Sequence, residues 1–486
     1  MTNEPNQGVP LCIDCDGTLI HTDLLHESVL LLVKQAPWAL LILPFWLLHG
    51  KAYMKERIAK RVRFNWATLP YCAEVMDAIA VARNAGRLVV LATASPRAWA
   101  VGIAAHLGVF DTVLATENTL NLSAANKAAR LTALYGNKGF DYAGNDSADI
   151  PVWAAAHSGL VVSSSSKLLA KAQAVTQVVQ KVQVPKAGFL GVLKGLRVHQ
   201  WLKNLLVLVP LLAAHQVSGA QGFVLAGLAF LAFSFCASAV YVLNDLLDLE
   251  SDRQHIRKRK RPFASGLIPV WQGMAMVPVL LVVSVTLASL LPLAFGVVLA
   301  IYFVVTLAYS LRLKRQVVVD VMLLAALYTM RIIAGAAATG IVPSFWLLAF
   351  SMFIFLSLAI VKRYSELWVT LQQQKQTAAG RGYAVSDLPV LASIGASAGM
   401  AAVMVLALYI NDSETARLYP ARMWLWLVPP AILYWVSRVW LKACRGEIDD
   451  DPVVFAVKDW QSLLTGALLA LCFVLAASPW AVLKIG

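Results

Sequence analysis

From about residue 195 the chain becomes a succession of apolar segments with charges confined to the gaps between them, and this pattern restricts the fold more than anything else in the sequence. Nine segments can be drawn, roughly at 198–217, 221–246, 271–291, 293–312, 317–340, 343–364, 388–410, 421–441 and 461–483. A bilayer core of about 30 Å takes about 20 apolar residues in helical form, and in lipid every backbone polar group must be satisfied internally. The expectation is an all-α polytopic membrane domain of about nine transmembrane helices over 191–486. At 59% hydrophobic and 14% charged residues, the chain is too apolar for an ordinary soluble protein.

The gaps give the orientation. Loops after even-numbered segments carry Arg253 with the run 257–261, then Arg312, Lys314 and Arg315, then Lys362, Arg363, Lys375 and Arg381, then Arg438, Lys442, Arg445 and Lys458. Loops after odd-numbered segments hold Arg417 and Arg422. Positive loops stay in the cytoplasm. A multi-pass protein of the inner, cytoplasmic membrane is expected, with the even loops and the N-terminal region facing the cytoplasm. The net charge of +14 sits at the ends of apolar segments, which suits membrane and phosphate partners and argues against nucleic acid. The opening MTNEPNQGVP has neither a basic nor an apolar leader pattern, so no signal peptide is expected. The six cysteines are scattered; Cys12 and Cys15 flank Asp14 on a strand and read as neither disulfide nor zinc ligands. No signal bears on oligomeric state.

At the end of the second segment lies NDLLDLESDRQHIRKRKRP, Asn244 to Pro262. At about 100° per residue, Asn244, Asp245, Asp248 and Asp252 share one helix face, with His255 near its middle. Carboxylates this deep are costly unless they meet cations or metal. A hard, oxygen-only set suits Mg2+, which usually takes substrate phosphates as well. Arg253, Arg257, Lys258 and Arg261 are candidate phosphate ligands beside it.

Residues 1–162 read as a soluble α/β domain. LCIDCDGTLI, RLVVLATAS and GFDYAGNDSADIPVWAAAHSG each give a strand with a polar end, and strands alternating with helices imply a parallel sheet. Between the first two strands an insert of about 22–82 contains WALLILPFWLLHG, Trp38 to Gly50. It is too short for a span and reads either as a cap helix or as a segment dipping into the membrane interface beside Lys51, Lys55, Arg57, Lys60 and Arg61. KLLAKAQAVTQVVQKVQVPK predicts a linker helix over 163–190, stopped by Pro185.

The strand ends carry chemistry. Asp14 is placed for attack on phosphorus, and Asp16, across a tight turn, for proton transfer. Thr93 ends the second strand and Lys127 opens a helix, both suited to phosphoryl oxygens. Asp146 and Asp149 follow the third strand as Mg2+ ligands to join Asp14, with Asp16 and Asn145 close to them in sequence as further candidates. DxDGT, a Thr-ended strand, a Lys and an acidic loop in this order resemble the haloacid dehalogenase (HAD) superfamily. The resemblance implies a Rossmann-like core with a helical cap, Asp14 as nucleophile and Asp16 as acid/base. The acidic loop departs from the usual GDxxxD, since Asn145 stands at the first Asp position, and either Asn145 or Asp146 would face the metal.

The Asn-Asp-x-x-Asp-x-x-x-Asp pattern resembles the UbiA superfamily of intramembrane prenyltransferases, over about 190–486. That resemblance implies a Mg2+–diphosphate site at Asp245, Asp248 and Asp252 with Asn244 assisting, and a second DxxxD-like site after the sixth span. Here the second region reads VKRYSELW, so Lys362, Arg363 and Glu366 stand there; Lys362 and Glu366, one turn apart, either pair with each other or serve as phosphate and metal ligands. KRYSEL, DRQHIRKRKRP and YSLRLK resemble the branch that transfers 5-phosphoribose from phosphoribosyl diphosphate to a polyprenyl phosphate. Three phosphate-bearing groups need more cations than a prenyl diphosphate does, and Lys314, Lys362 and Arg363 would supply them. Asp320, Tyr328 and Arg331 share a face of the fifth span, with Asp320 and Arg331 as a candidate pair. Arg197, Lys203 and Asn204 would meet the lipid phosphate.

The joint expectation is a Mg2+-dependent phosphoribosyltransferase fused to a phosphatase that dephosphorylates the lipid-linked product. The alternative is a prenyltransferase acting on an aromatic acceptor, with a head of separate or regulatory role.

Overall fold

The computed structural model describes residues 8–117, 122–184, 187–214, 220–255, 257–377, 381–448 and 452–478. They form two compact units: Met1–Val198 with Tyr241–Pro278, and His199–Val240 with Val279–Gly486.

The first unit is built on a six-stranded parallel sheet: β1 (Leu11–Ile13), β2 (Val89–Pro96), β3 (Thr112–Thr116), β4 (Asp141–Gly144), β5 (Ser158–Val162) and β6 (Gln177–Val182), in the order β3-β2-β1-β4-β5-β6. Successive side chains of a strand point to opposite faces. Ile13, Leu91 and Ala143 accordingly enter one apolar cluster, while Cys12, Val90, Ala92 and Tyr142 enter another. Burial on both faces explains why these strands read as unbroken apolar runs. The order reverses at β1, and ligands of such sheets gather beyond the carboxyl ends at this switch point.

The last strand corrects the sequence reading. The expected linker helix over 163–190 is helical over Ser166–Gln173 and then becomes β6. Val178, Val179 and Val182 favour extended backbone, and pairing along β5 from Ser158↔Gln177 to Val162↔Val182 overrides the weak helical pattern. The expected stop at Pro185 lies outside the described residues.

The insert leaves after β1 and returns before β2. Its two crossings are pinned together by Ile20 opposite Tyr71, by the His21 amide donating to the Pro70 carbonyl at 2.8 Å, and by the Cys72 amide donating to Leu19 at 2.9 Å. Between them lie helices Leu24–Gln35, Leu43–Leu48 and Lys51–Ala59 and a 3-10 turn, Pro37–Ile42. Asp23 caps the first through the amides of Leu25 and His26. Trp38 to Gly50 forms short helical pieces, with Ala39 and Trp46 turned into the core.

Among the described residues, seven helices are long and apolar enough to cross a membrane: Ala220–Leu247, Val270–Ala288, Leu293–Leu311, Val319–Thr339, Phe345–Gln372, Val385–Asn411 and Trp460–Ala477. The chain is a multi-pass membrane protein with an α/β head. The count is seven where nine segments were expected. Segment 198–217 begins as a 3-10 helix, Val198–Leu208, followed by Val209–Ala213; segment 421–441 begins as Arg422–Leu427, followed by the 17-residue helix Val428–Cys444. Pro210 and Pro429 stand in the first turn of the new helices, where a missing amide costs nothing, and so break each segment in two. In the second unit, spans close up over glycine. A Cβ on Gly395 would lie 2.1 Å from the Trp440 ring, and one on Gly399 would lie 2.4 Å from Val436.

Candidate active sites

At the carboxyl ends of β1, β2 and β4 the head assembles a buried polar network. Lys127 Nζ donates to Asp14 Oδ1 at 2.7 Å and to the Tyr142 hydroxyl at 2.9 Å. Tyr142 donates in turn to Asp149 Oδ1 at 2.7 Å. Asp149 Oδ2 accepts the amides of Asn145 and Asp146 at 2.9 and 3.1 Å, so this carboxylate shapes the loop. Asp16 is oriented separately, by the Leu24 amide at 2.8 Å and the Ser95 hydroxyl at 2.7 Å. Thr93 is fully buried and accepts the Ser95 amide at 3.0 Å. From the insert, Lys55 reaches the Ala94 carbonyl at 3.1 Å.

Burial sets the protonation. It raises Asp14 to about 7, with Lys127 pulling the other way and Asp149 adding to the rise. It raises Asp16 to about 6, helped by Asp23 and opposed by the Leu24 and Ser95 hydrogen bonds. Burial also disfavours the Lys127 cation, but Asp14 and Asp149 outweigh it, and its pKa rises. A carboxyl group near 6 can give and take a proton at neutral pH.

In the loop after β4, Asn145 and Asp146 point different ways. Asn145 turns to the β1 loop, its Oδ1 accepting from Thr18 at 3.1 Å. A Cβ on Gly17, whose φ is +74°, would sit 2.1 Å from Asn145 Nδ2. Asp146 is exposed and bonds the Ser147 amide and hydroxyl. The oxygen donors of Asp14 and Asn145, each the first residue past the end of one of two adjacent strands, fit a hard cation such as Mg2+.

The acidic stripe lies in the same unit. The helix Ala220–Leu247 ends one residue before Asp248, which begins the helix Leu249–Gln254. Asp245 and Asp252 are buried. Arg197 grips both oxygens of Asp245, and Arg261 Nη1 bridges Asp245 Oδ1 at 3.1 Å and Asp252 Oδ2 at 2.6 Å. Burial pushes Asp252 up, with Arg261 pulling the other way. Asn244 Oδ1 is buried with no hydrogen-bond partner, an orphan acceptor beside two carboxylates. That donor set fits Mg2+. Asp248 is half-buried, 3.8 Å from Lys34.

Two candidates of this stretch turn elsewhere: His255, expected on the stripe, and Arg253, expected beside it as a phosphate ligand. His255 falls beyond the helix and is exposed, its Nδ1 accepting the amides of Arg257 and Lys258, which are themselves at the surface or half-buried. Arg253 turns to the insert: it donates to Glu27 Oε2 at 2.9 Å and Oε1 at 2.5 Å, and to the Ala264 carbonyl at 3.2 Å. One helix cannot aim residues 252 and 253 the same way, since neighbours differ by about 100°.

In the second unit, Asp320 is fully buried and bound by Arg363 through two guanidinium nitrogens. Tyr309 donates to Asp320 Oδ1 at 2.7 Å, and Arg381 approaches the same oxygen at 3.3 Å. Arg363 also bonds Glu366, which lies 4.0 Å from Arg381. The expected Asp320–Arg331 pair does not form. Eleven residues along a helix are about 16 Å, too far for contact. Arg331 instead donates to Asn204 Oδ1 at 2.9 Å and Tyr302 at 3.3 Å. Its guanidinium carbon lies 5.3 Å from the ring centroids of Phe233, Tyr302 and Tyr328. Lys203 is buried with its Nζ 5.7 Å from the Tyr328 ring. Lys314 sits in a 3-10 turn, its carbonyl 3.4 Å from Arg381.

Ser95, Tyr142, Tyr302 and the grip of Arg381 on Asp320 were missed from sequence. Ser95 carried a signal, two residues past Thr93 on a strand that ends at the site. Tyr142, Tyr302 and Arg381 carried none, because fold topology brings them in.

The description "haloacid dehalogenase-like hydrolase" matches residues 11–153, and "UbiA prenyltransferase family" matches 205–463. The uncharacterized protein y4nM of Sinorhizobium fredii is 37% identical over 471 residues, covering 96% of this chain and 91% of its own. The nodulation protein NoeC of Azorhizobium caulinodans is 37% identical over 297 residues, 60% of this chain and 95% of its own. Decaprenyl-phosphate phosphoribosyltransferase of Mycobacterium tuberculosis is 40% identical over 189 residues, 38% of this chain and 63% of its own. The chain thus belongs to the UbiA prenyltransferase family and carries a haloacid dehalogenase-like domain ahead of its membrane domain.

Proposed function

We propose that the membrane domain transfers 5-phosphoribose from phosphoribosyl diphosphate to a polyprenyl phosphate, and that the head removes the 5-phosphate from the product. The observation that carries this is Arg363. Where a second acidic motif is expected, a buried guanidinium stands beside Arg381 and is held by Asp320. A prenyl diphosphate needs one diphosphate grip; phosphoribosyl diphosphate and a lipid phosphate together need three anion sites, for which forked cations are suited. The partial likeness to decaprenyl-phosphate phosphoribosyltransferase supports the same reading.

In this reading Asp245, Asp248 and Asp252, with Asn244, hold Mg2+, which when bound neutralises the diphosphate as it leaves. Arg197 and Arg261 orient two of those carboxylates and add positive charge for the diphosphate. Lys203 and Arg331, lined by aromatic rings, take the lipid phosphate. Arg363, Lys362 and Lys314 take the ribose 5-phosphate. The lipid-phosphate oxygen bonds to ribose C1 as the C1–diphosphate bond breaks, through an oxocarbenium-like state.

In the head, Asp14 attacks phosphorus and Asp16 protonates the departing ribose 5-oxygen; Asp16 then takes a proton from the water that cleaves the aspartyl-phosphate. Lys127 and Thr93 hold phosphoryl oxygens, and Asn145 and Asp14 hold the cation. In this reading both sites face the cytoplasm of the inner membrane, an orientation that the loop charges support.

The test supplies purified protein with Mg2+, phosphoribosyl diphosphate and a polyprenyl phosphate. A lipid-linked pentose and free phosphate are expected. Turnover of a prenyl diphosphate with an aromatic acceptor, and none with phosphoribosyl diphosphate, would overturn the reading.

A further inference from the structure

The insert has a surface that the phosphatase chemistry does not use. Across Pro37–Leu48 the inward residues Ala39 and Trp46 fill the head's core, yet the outward side is apolar too. Trp38, Leu41, Phe45 and Leu48 are all exposed, Leu41 to 86% and Leu48 to 85%. Their spacing of three, four and three residues puts them on one helical stripe. Scattered surface leucines need no explanation, but a contiguous apolar stripe marks an interaction surface.

Its surroundings identify the partner. No Asp or Glu occurs from Ser28 to Lys55, while Lys34, Lys51 and Lys55 do. Lys51, Lys60 and Arg63 are exposed beyond the stripe. Arg61 lies 5.7 Å from the Trp38 ring and 4.7 Å from the Trp46 ring, its cation held at the apolar boundary. A second copy would bring the same positive rim against this one, whereas an anionic bilayer complements it. Six 3-10 and six α-helical residues reach about 21 Å, short of a bilayer core, so the segment suits the interface rather than a crossing. The same chain carries membrane spans, so a bilayer is available to it as a partner.

We propose that Pro37–Leu48 lies in the headgroup–acyl boundary of an anionic bilayer, with Trp38, Leu41, Phe45 and Leu48 inserted and the basic residues at the lipid phosphates. The inference rests on exposure and charge, independently of the reaction proposed above.

The test uses the full chain with Cys444→Ser, which removes an exposed thiol. Single cysteines replace Leu41, Leu48 or, as control, the exposed Val81, and carry an environment-sensitive fluorophore. The proteins are reconstituted singly into nanodiscs of phosphatidylcholine with phosphatidylglycerol. Labels at 41 and 48 are expected to be quenched several-fold more by doxyl-labelled lipid than the label at 81, and to be shielded from aqueous iodide. Shielding should weaken in discs lacking phosphatidylglycerol. Iodide access equal to that at 81 would overturn the proposal, as would shielding that arises only when two copies share a disc. A label at Phe45 should lose its shielding in Leu41→Glu with Leu48→Glu; unchanged shielding there would also overturn it.

Discussion

Arg253 and Glu27, 226 residues apart, form a two-pronged ion pair whose side chains are each less than a tenth exposed. Thr22 adds a hydrogen bond to Glu27 Oε1 at 2.5 Å. Arg253 follows Asp252 of the acidic stripe, and Glu27 lies one turn into the helix whose Leu24 amide orients Asp16. The first unit therefore ties Asp16 of the head to the acidic stripe through one helix and one ion pair.

Breaking that pair leaves a buried charge without its partner. Arg253→Ala should destabilise the first unit by roughly 3–5 kcal/mol, as removal of one member of a buried pair does. The double change Arg253→Met with Glu27→Leu should recover part of the loss. Thermal unfolding of the unaltered protein, Arg253→Met, Glu27→Leu and the double variant measures the coupling, and simple additivity would rule it out.

The two chemistries should separate. Asp14→Asn should lower phosphate release from the lipid-linked product by at least about 10³-fold, the scale for losing a nucleophile. Pentose transfer to lipid should be unchanged, and lipid-linked phosphopentose should accumulate, as seen by mass spectrometry. Asp245→Asn should do the reverse, abolishing transfer while the head still hydrolyses a supplied phosphoester.

The pH profile of the head should respond to Ser95. Its hydroxyl donates to the Asp16 carboxylate and so favours the charged form, against the burial that lifts this group to about 6. Removing that bond in Ser95→Ala raises the Asp16 pKa further. The acid form then persists to higher pH, and the alkaline limb of the kcat profile should move up. A downward move, or none, would contradict the role given to Asp16.

At the second cationic cluster, Arg363→Lys keeps the charge but loses the planar fork. KM for phosphoribosyl diphosphate should rise by about 10–100-fold, equivalent to roughly 1.4–2.8 kcal/mol, with KM for the polyprenyl phosphate little changed. Asp320→Asn, which keeps the shape of the partner, should shift the same KM in the same direction. Equal effects on both substrates would point to a general packing defect.

Much of this was readable from residue order. The β1 and β4 loops could be found because each strand is an apolar run ending in acidic or amide residues. The stripe at Asp245 and Asp252 could be found because carboxylates at the end of a 28-residue apolar helix have few physical explanations. The failures share a cause. The strand β6, the partner of Asp320 and the turn of Arg253 to Glu27 all depend on contacts between residues 19 to more than 200 positions apart. Helical periodicity arranges neighbours along one element and says nothing of what a second element brings. It grouped Asp320 with Arg331 on one face but left Arg363 unplaced.

The pinned crossing of the insert has a consequence for how such a head can change over evolutionary time. Its two chain passages meet at Ile20–Tyr71, with backbone hydrogen bonds from His21 to Pro70 and from Cys72 to Leu19. The crossing itself is closed by backbone bonds that any side chain permits, while the inward residues between, Ala39 and Trp46 among them, are fixed by the core. Outward residues between these crossings, such as Leu41 and Leu48, can be exchanged without moving the sheet, so the part that meets the surroundings can drift while Leu24 still orients Asp16.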